Sequence, residues 1–240
     1  MSLRKKLSIL LSTKKNDSAC NSLEISSVKR CSIRCKYCPQ DQLMKASKEN
    51  DANSENINFV IFSKSISNIK SSGDFLVHWT GYSEPCLNIK FPEMVNLAEK
   101  KGFLQEISTT LVGHQRCIDY LSNSMAFSHI GLHLPDNSGL MENGSLKVND
   151  KYLNNLELFL DNRLQLMHQG SETVLDSQTF GSDYHPEVRK ILEKEKYKNL
   201  LKNRYVRSSL HSRSGGVSKI TNLKIGIKRV LSKGNRINTK

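Results

Sequence analysis

Little in this sequence supports a membrane protein, a secreted disulfide scaffold or a repeat array. No stretch approaches the roughly 20 apolar residues that span a bilayer. The apolar run Leu7 to Leu11, broken by Ser8, is too short for the hydrophobic region of a secretory signal. No fixed-period repeat occurs. Acidic residues are scarce, with 23 Asp and Glu against 36 Lys and Arg, so the chain carries a formal charge of +13. Such a balance favours an anionic partner or a solvated basic surface. Nucleic acid stays open as a partner, although no basic motif interleaved with aromatics supports it. Apolar residues make up only 37% of the 240, which points to polar segments beside a real core. Without a secretion signal the expected location is cytoplasmic. The first 16 residues, basic and free of acids, also fit a mitochondrial transit peptide. In a reducing compartment, clustered cysteines read as metal ligands or catalytic thiols before they read as bridges.

Strands and helices alternate along the chain. Alternation from Leu23 to Val28 predicts a first strand, and apolar positions 57, 61, 62, 66 and 69 predict a helix ended by Gly73. Phe75–Trp79 reads as a second strand and Pro92–Lys101 as a helix stopped by Gly102. Phe103–Thr109 is a third strand, His114–Asn123 a helix and Phe127–Leu134 a fourth strand. A Gly- and Asn-rich loop covers 137–149, a helix 151–160, a fifth strand 163–168 and a sixth strand the region 206–211. Repeated βα units predict a parallel sheet, here a partial (βα)6 TIM-like barrel with the helices outside. The expected organisation is a basic lead-in at 1–22, an α/β core at 23–216 and a basic tail at 217–240.

The segment Cys31-Ser-Ile-Arg-Cys35-Lys-Tyr37-Cys38-Pro39 places three thiols within eight residues, directly after the first strand. Thiolates are soft ligands that suit iron–sulfur clusters and zinc. Most clusters take four cysteines, so three would leave one iron open to an outside molecule. A structural zinc site would need Cys20, Cys86 or Cys117 as its fourth ligand. Zinc modules, however, usually carry a second paired C-x-x-C or H-x-x-H element, and this chain has none.

The pattern C-x-x-x-C-x-aromatic-C after a first strand resembles the signature of the radical S-adenosylmethionine (SAM) enzymes, with Tyr37 in the aromatic position. The resemblance implies a [4Fe–4S] cluster on Cys31, Cys35 and Cys38, with SAM on the fourth iron and Tyr37 near its adenine. Gly81-Tyr82-Ser83-Glu84-Pro85 resembles the family's G-x-G-E-P element, which binds the SAM amino group, although Ser83 replaces the usual glycine. Physically, small residues let the backbone approach a ligand closely. His133 and Asp136 fall where relatives place ribose or substrate contacts, and Gln169 ends the expected fifth strand. Ser212-Arg213-Ser214-Gly215 is similar to a turn in relatives that carry a C-terminal SPASM domain with auxiliary clusters. Here no cysteine follows Cys117.

The resemblance further implies an external electron donor of the flavodoxin or ferredoxin type, reductive cleavage of SAM, and hydrogen abstraction by a 5′-deoxyadenosyl radical from an unidentified substrate. Two other readings stay open at this point. One is a non-catalytic iron–sulfur or zinc-binding protein, and the other is a nucleic-acid-associated module governed by the basic tail.

Overall fold

The computed structural model describes residues 22–29, 31–40, 55–69, 75–81 and 83–207. Six strands form one sheet, each parallel to the next and in strict chain order. They are β1 (Ser22–Ile25), β2 (Leu76–Trp79), β3 (Leu104–Thr109), β4 (His129–His133), β5 (Val174–Phe180) and β6 (Asn203–Arg207). The helices between them are α1 (Phe59–Ser67), α2 (Phe91–Lys100), α3 (Gln115–Asn123), α4 (Asp150–His168) and α5 (Pro186–Leu192). Single 3-10 turns cover Pro85–Leu87 and Glu195–Tyr197. Every strand pairs with its successor through a helical crossover, which is barrel order, and β1 does not meet β6. The expected open, partial (βα)6 barrel is the observed fold.

Local sequence explains the helices. The Asn58 side chain caps α1 by accepting from the N–H groups of Val60 and Ile61. In α2 the buried positions 91, 94, 95 and 98 follow the helical period. Asn149 caps α4, whose buried residues Tyr152, Leu156, Phe159, Leu160 and Arg163 also keep that period. The last of these corrects the sequence reading. Residues 163–168 alternate like a strand, but they continue α4 without a breaker until Gly170, and the Arg163 guanidinium donates to the Ser124 carbonyl at 2.6 Å. The fifth strand is Val174–Phe180, so Gln169 caps a helix instead of ending a strand. The sixth strand lies three residues earlier than expected, at 203–207. Gly73 and the Ser212–Gly215 turn lie outside the described residues, as do most of the lead-in and all of the tail. No described helix is long and apolar enough to cross a membrane.

The two faces of the sheet differ in kind. Ile25, Val77, Trp79, Ile107, Ile130, Leu132 and Leu175 point to the helices and form the core with Phe91, Phe127, Leu156 and Phe159. Trp79 is fully buried there and donates to Gln105 Oε1 at 2.9 Å. The opposite, concave face is polar. His78 pairs with Glu106 at 3.2 Å, and His129 with Asp176 at 3.1 Å. Asn203 donates to Asp176 at 2.8 Å, and Gln178 donates to His133. A closed barrel fills its interior with layers of branched apolar side chains. Here the described concave positions carry paired polar groups instead.

Candidate functional site

Both motifs stand at the C-terminal edge of the sheet, where open α/β sheets gather their ligands. The cysteine loop begins at Cys31, six residues beyond the end of β1 at Ile25. Its base is closed by Gln40 Nε2 donating to the Lys29 carbonyl at 2.7 Å and by Lys29 N–H donating to Glu55 at 2.7 Å. Ile33, 1% exposed, plugs the loop into the core. Arg34 takes a left-handed backbone, φ +51°, which lets the chain double back between Cys31 and Cys35. Cys38 N–H then donates to the Cys35 carbonyl at 2.9 Å. The three cysteines are partly buried and form no disulfide.

A second loop, after β4, clamps this one. Lys36 N–H donates to Leu140 at 2.9 Å, Ser145 N–H to Ser32 at 2.9 Å, and Asn143 Nδ2 to Arg34 at 2.8 Å. The hydroxyls of Ser32 and Ser145 share a hydrogen bond of 2.7 Å. Gly144 lies so close that a Cβ there would sit 2.1 Å from the Ser32 carbonyl oxygen. Asp136 builds the clamp. Fully buried, it accepts from the N–H groups of Ser138, Leu140 and Met141 and from the Ser138 hydroxyl, all at 2.9–3.0 Å. Its carboxylate is thereby spent on its own loop.

The Gly81–Pro85 loop approaches from the other side. Gly81 has φ +100°, and a Cβ there would meet Ser26 Oγ at 2.0 Å, so only glycine fits. Tyr82 lies outside the described residues. Ser83 Oγ is buried with no hydrogen-bond partner, a polar atom left unsatisfied in the middle of the motif. Glu84, 2% exposed, ties the loop to β3. Its Oε1 accepts from Cys86 N–H at 3.1 Å and the Thr109 hydroxyl at 2.7 Å, and its Oε2 from the N–H and hydroxyl of Thr110 at 2.6 and 2.7 Å. Burial pushes the Glu84 carboxyl above its ordinary range, against those bonds. The Pro85 carbonyl accepts from Ser27 Oγ at 3.4 Å, so the strand-one and strand-two loops are joined.

The two motifs meet at Cys31. Backbone N–H groups of Ile33, Glu84 and Arg34 approach its sulfur, and burial still raises the thiol's pKa. Burial likewise pushes Cys35 up to about 12, with Cys31 and Cys38 near enough to add to the rise. Protonated thiols at rest are what a desolvated site without a cation must hold, and a bound metal centre would supply the charge that turns them into thiolates. Among the described residues no three His, Cys, Asp or Glu side chains converge on a single ion. Neither Cys86 nor Cys117 therefore joins the loop thiols, and the Cys117 thiol donates to the Asn88 carbonyl instead.

A shallow cleft, open at its mouth, lies beside the loop between Tyr37, His133, Met141, Gln178, Phe180 and Arg207. The rings of Tyr37 and Phe180 stack with centroids 3.9 Å apart, and the Tyr37 hydroxyl faces Cys35. Gln178 donates to His133 Nε2, and Arg207 donates to Gln178 Oε1 at 3.2 Å. Burial, with the Arg207 charge, holds His133 down to about 3, so the imidazole is neutral. The structure thus brings Cys31, Cys35, Cys38, Tyr37, Gly81, Ser83, Glu84, Pro85 and His133 to one edge of the sheet. Sequence reading missed Gln178, Phe180 and Arg207. The signal was present, a Val- and Thr-containing run bounded by Gly170 and Gly181.

No family model matches the chain, and no curated protein matches it. Solved structures do. The chain is similar to SuiB from Streptococcus suis, with a TM-score of 0.54 and 14% identity over 88% of this chain and 45% of that one. It is similar to SuiB bound to S-adenosylmethionine, with a TM-score of 0.54 and 15% identity over 88% and 46%. It is also similar to SuiB bound to its precursor peptide SuiA, with a TM-score of 0.52 and 14% identity over 79% and 39%. The chain spans less than half the length of these structures. What it shares with them is the fold.

Proposed function

We propose that this chain is a radical SAM core, in which Cys31, Cys35 and Cys38 hold a [4Fe–4S] cluster and the Gly81–Pro85 loop receives SAM. The observation that carries the reading is the junction at Cys31, where the cysteine loop and the Glu84 backbone meet beside the unpartnered Ser83 hydroxyl. Likeness to a fold that binds S-adenosylmethionine in SuiB supports it. Three thiols in one short loop, without a second paired C-x-x-C or H-x-x-H element, suit a cluster with one open iron better than zinc.

Each residue has a role that follows from its surroundings. Cys31, Cys35 and Cys38 are held by two loops before any metal arrives, so little ordering is left to be paid on binding. Ser83 Oγ is free to meet the SAM amino group, and Gly81 lets the backbone come close. Tyr82 belongs to the same loop. Glu84 positions that loop and presents its own N–H toward Cys31. Pro85 fixes the turn into its 3-10 segment. Tyr37 and Phe180 form an aromatic wall for an adenine ring. His133, neutral, stays a hydrogen-bonding group beside the nucleoside. A cluster so held would supply the one electron that separates SAM into methionine and a 5′-deoxyadenosyl radical, which takes a hydrogen atom from substrate. The electron comes from an external donor of the flavodoxin or ferredoxin type, and the protein works in a reducing cytoplasm.

Anaerobic reconstitution with iron and sulfide, followed by dithionite and SAM, tests this. Wild type should bind about four irons per chain and release 5′-deoxyadenosine, and Cys35→Ala should do neither. Zinc in place of iron, or iron loading with no SAM cleavage, would sink the proposal.

A further inference from the structure

Arg207 is the residue of the cleft that the proposed chemistry does not use. It ends β6, opposite Phe180 in register, and its guanidinium is partly buried. Among the described residues two exposed arginines take carboxylate partners: Arg116 meets Glu93 at 3.2 Å, and Arg189 meets Asp183 and Glu193 at 2.9 Å. Arg207 has no carboxylate partner among the described residues, and it bonds only to the neutral Gln178 amide. Asp136, the acid that stands near Tyr37, is saturated by its own loop. A cation withdrawn from water without a counter-charge is costly. Here it borders an open cleft.

We propose that this cleft binds a carboxylate group of the substrate, with the Arg207 guanidinium as its counter-charge. This rests on the reading of the neighbouring loops as the SAM site. The geometry of a guanidinium matches a carboxylate through two parallel N–H bonds. One positive charge balances a monoanion, whereas a phosphate dianion would leave a buried negative charge uncompensated. His133 and Gln178 add polarity but no charge on that side. The group belongs to the substrate and not to SAM because SAM's carboxylate shares a carbon with the amino group that the loop after β2 would receive, while Arg207 ends β6. Gln178 is a positioning residue, since it holds the guanidinium by its Oε1 and is itself held by its bond to His133.

Hippurate, an aromatic carboxylate, and hippuramide, its neutral counterpart, are the probes. Binding of each to the full chain is measured by calorimetry for wild type, Arg207→Gln and Arg207→Lys, with SAM titrated separately. Wild type should bind hippurate at least tenfold more tightly than hippuramide. Arg207→Gln should remove that preference, Arg207→Lys should keep part of it, and SAM affinity should stay within twofold throughout. Equal binding of the two probes by wild type overturns the proposal without any variant. So does a preference that survives Arg207→Gln. A fall in SAM affinity that parallels the loss of hippurate also overturns it, because the carboxylate would then be SAM's own. None of these readings requires SAM cleavage, so a chain that binds hippurate through Arg207 but never yields 5′-deoxyadenosine would defeat the radical SAM reading alone.

Discussion

Replacing Glu84 with Gln probes the joint that holds the SAM loop to β3. The carboxylate accepts four hydrogen bonds from donors that are themselves buried. An amide offers one oxygen and one NH₂. In either orientation the NH₂ faces a backbone N–H, that of Thr110 at 2.6 Å or that of Cys86 at 3.1 Å. The threonine hydroxyls can turn and accept, but a backbone N–H cannot. One buried donor is therefore orphaned, at about 1–3 kcal/mol, and the remaining bonds lose their charge assistance, about 1 kcal/mol more. Sparing the desolvation of a carboxylate offsets part of this. The net loss is about 3 kcal/mol, which for a domain of this size lowers Tm by roughly 6–12 °C.

The pH dependence has a definite sign. Burial raises the Glu84 pKa above its ordinary 4.5, so the folded state keeps a proton that the unfolded state has released. The group's contribution to stability is complete below about 4.5 and declines as pH rises through the folded value. The gap between wild type and Glu84→Gln should be widest in acid and narrow toward neutrality. Melting curves followed by circular dichroism at several pH values read both effects. A Tm shift under about 3 °C, or a gap that widens with rising pH, would refute the reasoning.

Gly144→Ala drives a Cβ into the Ser32 and Ile33 carbonyl oxygens at 2.1 and 2.4 Å, backbone atoms of the cysteine loop that have no rotamer to escape into. It should cost about 1–3 kcal/mol and cut iron loading severalfold; full loading would show that the clamp does not set the loop. His133→Asn addresses the acid limb. The imidazole is held at about 3 against its ordinary 6.5, so between those values the unfolded state binds a proton the folded state refuses. Stability is lost as pH falls, by at most about 1.4 kcal/mol per pH unit. The variant's urea midpoints should fall less steeply below about pH 6 than those of wild type, and parallel profiles would contradict the assignment.

The strands on the left of the sheet were legible because one face of each is apolar and buried, as in Leu-Val-His-Trp of β2 or Leu-Gln-Glu-Ile of β3. The fifth was hidden for the opposite reason. In Val-Leu-Asp-Ser-Gln-Thr-Phe the concave positions carry Asp176 and Gln178, which serve the polar interior, and the helix-facing positions carry Ser177 and Thr179. Apolar alternation vanished where the cleft needed polar groups. Meanwhile the end of α4 imitated a strand, because Arg163 is a buried cation whose carbonyl partner, Ser124, lies 39 residues earlier. The cysteine motif, by contrast, needed no tertiary context to be noticed. What sequence did not reveal was its support: nothing in Asp136 or Gly144 alone indicates that their loop crosses the sheet edge to hold Ser32 and Lys36.

That support bears on why Glu84 and Asp136, both acids at motif positions, touch no open space. A ligand-binding carboxylate must present at least one unshared oxygen, and these two present none: each accepts four bonds from its own neighbourhood. They act one step behind the ligand. Glu84 sets where the Ser83 hydroxyl stands, and Asp136 sets where the cysteine loop stands, so the groups left unsatisfied at the sheet edge are few. Among those described they include the Ser83 hydroxyl and the Arg207 cation, which has no carboxylate partner. A chain that satisfies nearly every buried carboxylate yet leaves these together has concentrated its unmet polar demand at one place. That place lies at the C-terminal ends of the strands, where the function proposed above sets an amine against Ser83 and the further inference sets a carboxylate against Arg207.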